Sequence, residues 1–218
     1  MIPFVVAGHT LDYDALQLQE LKGFAKDFLL ARWVGHVLTS SFPKSVTYTI
    51  DGTPVPSPGP QREDRRSLAA SMGLSDSLRN NDSLLVVSQA LRSIIEAHEK
   101  HVELLRVTLV APKKKKVDAA YFIVNPLDAV DALDIGASTL RWNHGGQSPR
   151  LKDGVIDDSV ERIERIVLDE KRVPADRSLF LLKYVDFVIF MRTSLLTAIG
   201  AAGLTGIEPI QIKDYPPA

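Results

Sequence analysis

Apolar and polar positions along this chain follow two different periods, and the sharpest change between them lies in Tyr121–Leu133, YFIVNPLDAVDAL. Tyr121, Phe122, Ile123 and Val124 are aromatic or β-branched and predict a strand. Asn125 can cap a helix through its side-chain oxygen, and Pro126 suits a first helical position. Leu127, Val130 and Leu133 follow at three-residue spacing, which predicts a short amphipathic helix with Asp128, Asp131 and Asp134 on a neighbouring face. Upstream, Leu84–Val87 predicts a strand, Ser88 an N-cap, and Leu91, Ile94 and Ile95 the buried face of a helix ending near Glu99. Val102–Val110 alternates as a long strand, and Lys113–Lys116 would turn the chain back into Tyr121–Val124.

Other segments read less sharply. Residues 2–7 predict a strand, and Ser45–Ile50 another, ending at the turn dipeptide Asp51-Gly52. Leu18, Leu21, Ala25, Phe28 and Leu29 match a helical stripe, although residues 28–38 also read as a buried strand. Residues 53–67 carry four prolines and a dense charged run, so a mobile loop is expected there. Phe187–Phe190, Thr193–Ala201 and Ile207–Ile212 repeat the strand, helix, strand order, with Gly203 and Gly206 breaking the helix end. That repetition raises a duplication, though Ser88 has no clean counterpart among Met191, Arg192 and Thr193. The expected fold is α+β: mixed, largely antiparallel sheets with short flanking helices, in one domain over residues 1–218.

Composition narrows the function classes more than it selects one. Apolar residues make up 45% and charged residues 24%, ordinary values for a globular chain. No apolar run reaches the roughly 18 to 20 residues that span a bilayer. The opening MIPFVVAGHTLDYD lacks a basic n-region, so a cytoplasmic protein is expected. The absence of cysteine excludes disulfides, thiolate metal sites and a cysteine nucleophile. Twenty-six basic against twenty-seven acidic residues argue against broad nucleic-acid binding.

Each candidate for chemistry has a plainer explanation beside it. The Asp128, Asp131 and Asp134 trio offers carboxylates for a hard divalent cation, but an acid in a first helical turn also favours the helix dipole. His98 and His101 fall one residue short of the zincin spacing. Asn143-His144-Gly145-Gly146 is similar to an esterase oxyanion loop, yet the chain has no GxSxG elbow. Gly200, Gly203 and Gly206 follow a helix and do not open one, so they make no phosphate cradle. Lys113–Lys116 reads as a solvated hairpin tip. Asp153, Asp157, Asp158, Glu161 and Glu164, softened by Arg162 and Arg165, read either as a solvated turn and helix start or as a docking surface for a basic partner.

The ordered blocks LLVVSQALRSII, YFIVNPLDAVDALD, IVLDEKRVP, SLFLLK and AGLTGIEPI, spread over residues 83–212, resemble the core of family eleven of the polymorphic-toxin immunity proteins. The junction IFMRTSLL departs from the serine cap usual in that family, and residues 1–82 carry no recognisable block. The resemblance implies a small α+β antidote encoded beside a toxin gene. It implies no catalytic residue, cofactor, metal or membrane contact, and a cognate toxin domain as partner, often a nuclease of the HNH or endonuclease VII type. Two other classes stay open on the residues alone. One is a metal-dependent hydrolase using Asp128, Asp131 and Asp134 or His98 and His101, and the other is a regulatory module for a small ligand.

Overall fold

The structure is a computed structural model that describes residues 4–9, 16–22, 45–50, 74–78, 84–111 and 115–215. Strands β1 (Phe4–His9), β2 (Leu16–Lys22), β3 (Ser45–Ile50), β4 (Ser77–Leu78) and β5 (Leu85–Ser88) precede helix α1 (Gln89–His98). After it come β6 (Val102–Ala111), β7 (Lys115–Lys116), β8 (Tyr121–Pro126), β9 (Ala129–Val130) and β10 (Thr139–Trp142). Then follow β11 (Leu151–Lys152), β12 (Val155–Ile156), β13 (Val160–Arg165), β14 (Leu179–Leu182) and β15 (Val185–Arg192). Helix α2 (Thr193–Ala201) and β16 (Ile207–Gln211) close the order.

Two main sheets result. One runs β16-β1-β15-β14-β9 and the other β2-β3-β6-β8-β5-β4, with β7 paired to β6. Only the β3–β6 and β9–β14 pairings are parallel among those described, so the fold is α+β with antiparallel-dominated, mixed sheets.

The suspected repeat is visible in the topology. β4 and β5 pair antiparallel, α1 follows, and β6 returns beyond β8, which lies antiparallel between β5 and β6. In the same way β14 and β15 pair antiparallel, α2 follows, and β16 returns beyond β1, which lies antiparallel between β15 and β16. The helix starts differ as the sequence suggests: the Ser88 side chain accepts from the Leu91 N–H, whereas Arg192 makes no side-chain cap.

The two units share a core. Leu91 and Ile95 of α1 and Leu195 and Ile199 of α2 join Leu85, Val87, Phe122 and Val124 from one sheet and Leu179, Leu181, Ile189 and Met191 from the other. The alternate residues Phe180, Leu182, Val188 and Phe190 point to the opposite face, where they pack with Phe4, Leu140, Trp142, Val160 and Ile163. Both faces of β14 are therefore covered, which explains an uninterrupted apolar run in place of alternation.

Four local readings change. The helix expected over 127–133 does not form. Asn125 is buried within β8 and donates from its side-chain amide to Glu103 at 3.3 Å, while Pro126 ends that strand opposite Val102. Beyond a bend at Leu127–Asp128, the carbonyl of Val130 accepts from the Lys183 N–H and that of Ala132 from the Asp169 N–H, both at 2.9 Å, and the Asp134 N–H donates to the Val167 carbonyl at 3.0 Å. A two-turn helix makes too few internal bonds to offset its nucleation, so these longer-range partners win. The second change is at β2, a strand paired with β3 where a helical stripe was expected from Leu18. Third, Val160–Arg165 is a strand, where one of the two readings of the acids at 153–164 was a solvated turn and helix start. Fourth, β1 runs to His9. The segments 28–38 and 53–67, and Lys113 and Lys114, lie outside the described residues.

Candidate interaction surface

The acidic cluster of residues 153–164 occupies a hairpin and the strand that follows it. β13 pairs with β10 through Arg165↔Thr139, Ile163↔Leu140, Arg162↔Arg141 and Val160↔Trp142, which leaves Glu164 and Glu161 without opposite numbers. Each is a bulge. Two bulges in six residues put Val160 and Ile163 on the core side at three-residue spacing and leave Glu161, Arg162, Glu164 and Arg165 exposed. Beneath them Trp142 is fully buried and meets the Tyr184 ring edge-on at 6.0 Å.

Strands β11 and β12 form a two-residue hairpin with Asp153 at φ 51° and Gly154 at φ 78°, the left-handed pair that a type I′ turn requires. Its base is closed by the Asp157 N–H donating to the Arg150 carbonyl at 3.0 Å. Asp158 reinforces that base. Its carboxylate accepts from the N–H groups of Arg150 (3.1 Å) and Ser159 (2.9 Å) and lies 2.6 Å from His144 Nδ1. Burial works against its charge, but these hydrogen bonds outweigh it and hold the carboxyl below the usual carboxylate range. Asp158 is thus engaged internally, while Asp153, Asp157, Glu161 and Glu164 are exposed and make no side-chain hydrogen bond or ion pair among the described residues. Arg141, Arg150, Lys152, Arg162 and Arg165 lie in the same stretch, so residues 141–165 hold five bases and five acids, a formal sum of zero.

The other candidates are dispersed. Asp128 pairs with Arg177 at 3.1 Å and His101 at 3.7 Å, Asp131 with Arg172 at 2.8 Å, and Asp134 accepts from the Ala137 N–H at 2.9 Å. The helical face that was to gather them is absent, and no group of three or more His, Cys, Asp or Glu side chains is placed to hold a metal among the described residues. His98 Nδ1 contacts the Ile94 carbonyl at 2.9 Å, whereas His101 faces Asp176 at 3.3 Å. In the Asn143–Gly146 turn the Gly145 N–H donates to the Trp142 carbonyl at 2.7 Å, so that donor is already taken. A cavity of about 320 Å³ lies along β6, lined by Arg106, Thr108, Asp118 and their neighbours, away from these groups. No helix among the described residues is long and apolar enough to cross a membrane.

A family model described as "Immunity protein family (Imm11)" matches residues 42–214, or 173 of the chain's 218. The chain belongs to the Imm11 immunity protein family. No curated protein matches it. The family region of this immunity protein starts 41 residues ahead of the blocks recognised from residue 83, and the structure gives a reason: β3 lies in that stretch and pairs in parallel with β6, so it is part of the same sheet. Membership implies a toxin as partner and a non-enzymatic, inhibitory role.

Two features of the immunity protein escaped the sequence reading, and both tie its two units together. Glu99, 1% exposed at the end of α1, accepts from the N–H groups of His101 (2.8 Å), Ser178 (2.7 Å) and Leu179 (3.0 Å). An acid at a helix C-terminus opposes the helix dipole, a local mismatch that was a legible signal of a tertiary role. Asp76 accepts from the Ser88 hydroxyl at 2.6 Å and from the Thr205 N–H at 3.0 Å, linking the cap of α1 to the loop after α2. Beside it the Tyr121 hydroxyl donates to the Ser75 carbonyl at 2.6 Å, and burial, helped by Asp76, pushes its pKa up to about 12.

Proposed function

We propose that this immunity protein binds one cognate toxin domain one-to-one, in the cytoplasm of the cell that makes both, and that the toxin is a nuclease with basic groups around its contact surface. Membership of the Imm11 family is the observation that carries this reading. Asp153, Asp157, Glu161 and Glu164, exposed and without side-chain partners among the described residues, are the acids assigned to the interface, and Asp158 holds their loop in shape. Because five bases are interleaved with the acids, their attraction acts at short range, on individual basic side chains of the toxin.

Co-expression tests the proposal. The protein should rescue cells from the toxin encoded beside its own gene, while unrelated toxins still kill. Rescue from every toxin, or from none, rejects it. Converting Asp153, Asp157 and Glu161 to lysine should slow association at low ionic strength and matter less in high salt. Unchanged association kinetics would remove the acids from the interface. The dispersed positions of Asp128, Asp131 and Asp134 favour structural roles, ion pairs for the first two and a turn hydrogen bond for Asp134, over metal-dependent hydrolysis.

A further inference from the structure

The β11–β12 hairpin carries the two large hydrophobic side chains that stand exposed among the described residues, Leu151 at 64% and Val155 at 62%. Directly opposed residues of an antiparallel ribbon share a face, and successive pairs alternate. Leu151 opposes Ile156 and Lys152 opposes Val155, so the two exposed side chains lie on opposite faces of the ribbon; on the Leu151 face Ile156 packs back against the core, while Leu151 itself stays outside that contact. A flat surface can cover only one of them. A cleft covers both. The ribbon is also rigid for its size, with a type I′ turn at its tip and the Asp158 carboxylate binding the N–H groups at both sides of its base. Little ordering entropy is left to lose on binding, the condition under which a few apolar anchors yield high affinity. Arg150, Lys152, Asp153 and Asp157 supply two charges of each sign around the anchors, so the complementary surface is apolar within and carries both signs at its rim.

We infer that this hairpin is a wedge that enters a cleft of the cognate toxin, with Leu151 against one apolar wall and Val155 against the other. The inference rests on the toxin-binding reading above, and adds the element that anchors the complex and the shape of the surface receiving it. Charge brings the partners together, and the wedge holds them.

The test uses the full-length protein and the toxin domain encoded beside its gene, inactivated in its active site, with association and dissociation followed by a surface-binding assay. Leu151→Ser and Val155→Ser are made singly and together; both positions are exposed, so thermal unfolding should match the parent protein. Each single change is expected to speed dissociation about 10-fold and the pair about 100-fold, with association nearly unchanged. If one single change has this effect and the other has none, the contact is one-sided and the wedge is overturned. If the parent protein binds and neither change matters, the hairpin lies outside the interface while the toxin-binding reading survives. If the parent protein itself does not bind, that reading fails and the wedge falls with it. Because the chain has no cysteine, Leu151→Cys and Val155→Cys can each carry one environment-sensitive dye. Blue-shifted emission at both positions on adding the toxin supports the cleft, and unchanged emission at either overturns it.

Discussion

Replacing Glu99 with alanine removes a carboxylate that holds three backbone N–H groups and connects the end of α1 to the start of β14, about eighty residues away in sequence. The Ser178 and Leu179 N–H groups are buried, so each is left without a partner at roughly 1–3 kcal/mol, whereas the His101 N–H is partly exposed and regains water at little cost. Removing a charge from the interior relieves some desolvation and offsets part of this. The net expectation is a loss of about 3 kcal/mol, a large share of the roughly 5–15 kcal/mol that stabilises a typical domain. In urea unfolding, with a slope of about 2 kcal/mol per molar, the midpoint should fall by about 1.5 M. Glu99→Gln keeps one acceptor oxygen for Ser178 and Leu179 and should lose roughly half as much. A Glu99→Ala midpoint within about 0.2 M of the parent would show that the carboxylate does not couple the two units, and the reasoning would fail.

Three more outcomes follow from the packing. Val130, 5% exposed, faces the core beneath β14, so Val130→Asp should abolish cooperative thermal unfolding by burying an unpaired carboxylate at a cost of several kcal/mol; an unchanged melting curve would refute the packing assigned to it. Gly206 has φ 92° and would place a Cβ 2.2 Å from the Ser77 carbonyl, so Gly206→Ala should lower the melting temperature by about 5 °C or more, read by circular dichroism. Tyr121 keeps its proton up to about pH 12 in the folded state but only to about 10 when unfolded, so its contribution is complete below pH 10 and is lost as pH rises through 12, by up to about 3 kcal/mol; Tyr121→Phe should flatten that alkaline loss in pH-dependent denaturation.

Local signals were legible where they competed with nothing. Ser88 caps α1 because its hydroxyl reaches the Leu91 N–H within its own turn, and α2 spans Thr193–Ala201 as its apolar spacing predicts. Ser45–Ile50 is a strand with the bounds its β-branched residues suggest. Spacing misled at two places for one reason: apolar residues three apart signal a buried side but not the backbone that presents it. In β2 a bulge between Leu18 and Glu20 falls inside the Leu18–Leu21 interval of a strand, and from Leu127 to Leu133 an irregular extended path creates it with bonds to Val167, Asp169 and Lys183. The acids at 153–164 were found as a group, yet the sequence could not show that Asp158 turns inward or that Leu151 and Val155 stay outside.

By itself, then, the sequence determined the α+β class, helices α1 and α2, strands β5, β6, β8, β15 and β16 and the family, because caps, period and block order act over a few residues at a time. Tertiary structure alone decided that β8 and β1 are inserted between the strands of two matching units, that Glu99 and Asp76 bind those units together, and which face of each ribbon meets water. Those choices depend on hydrogen-bond partners far apart along the chain, whose selection no local pattern encodes.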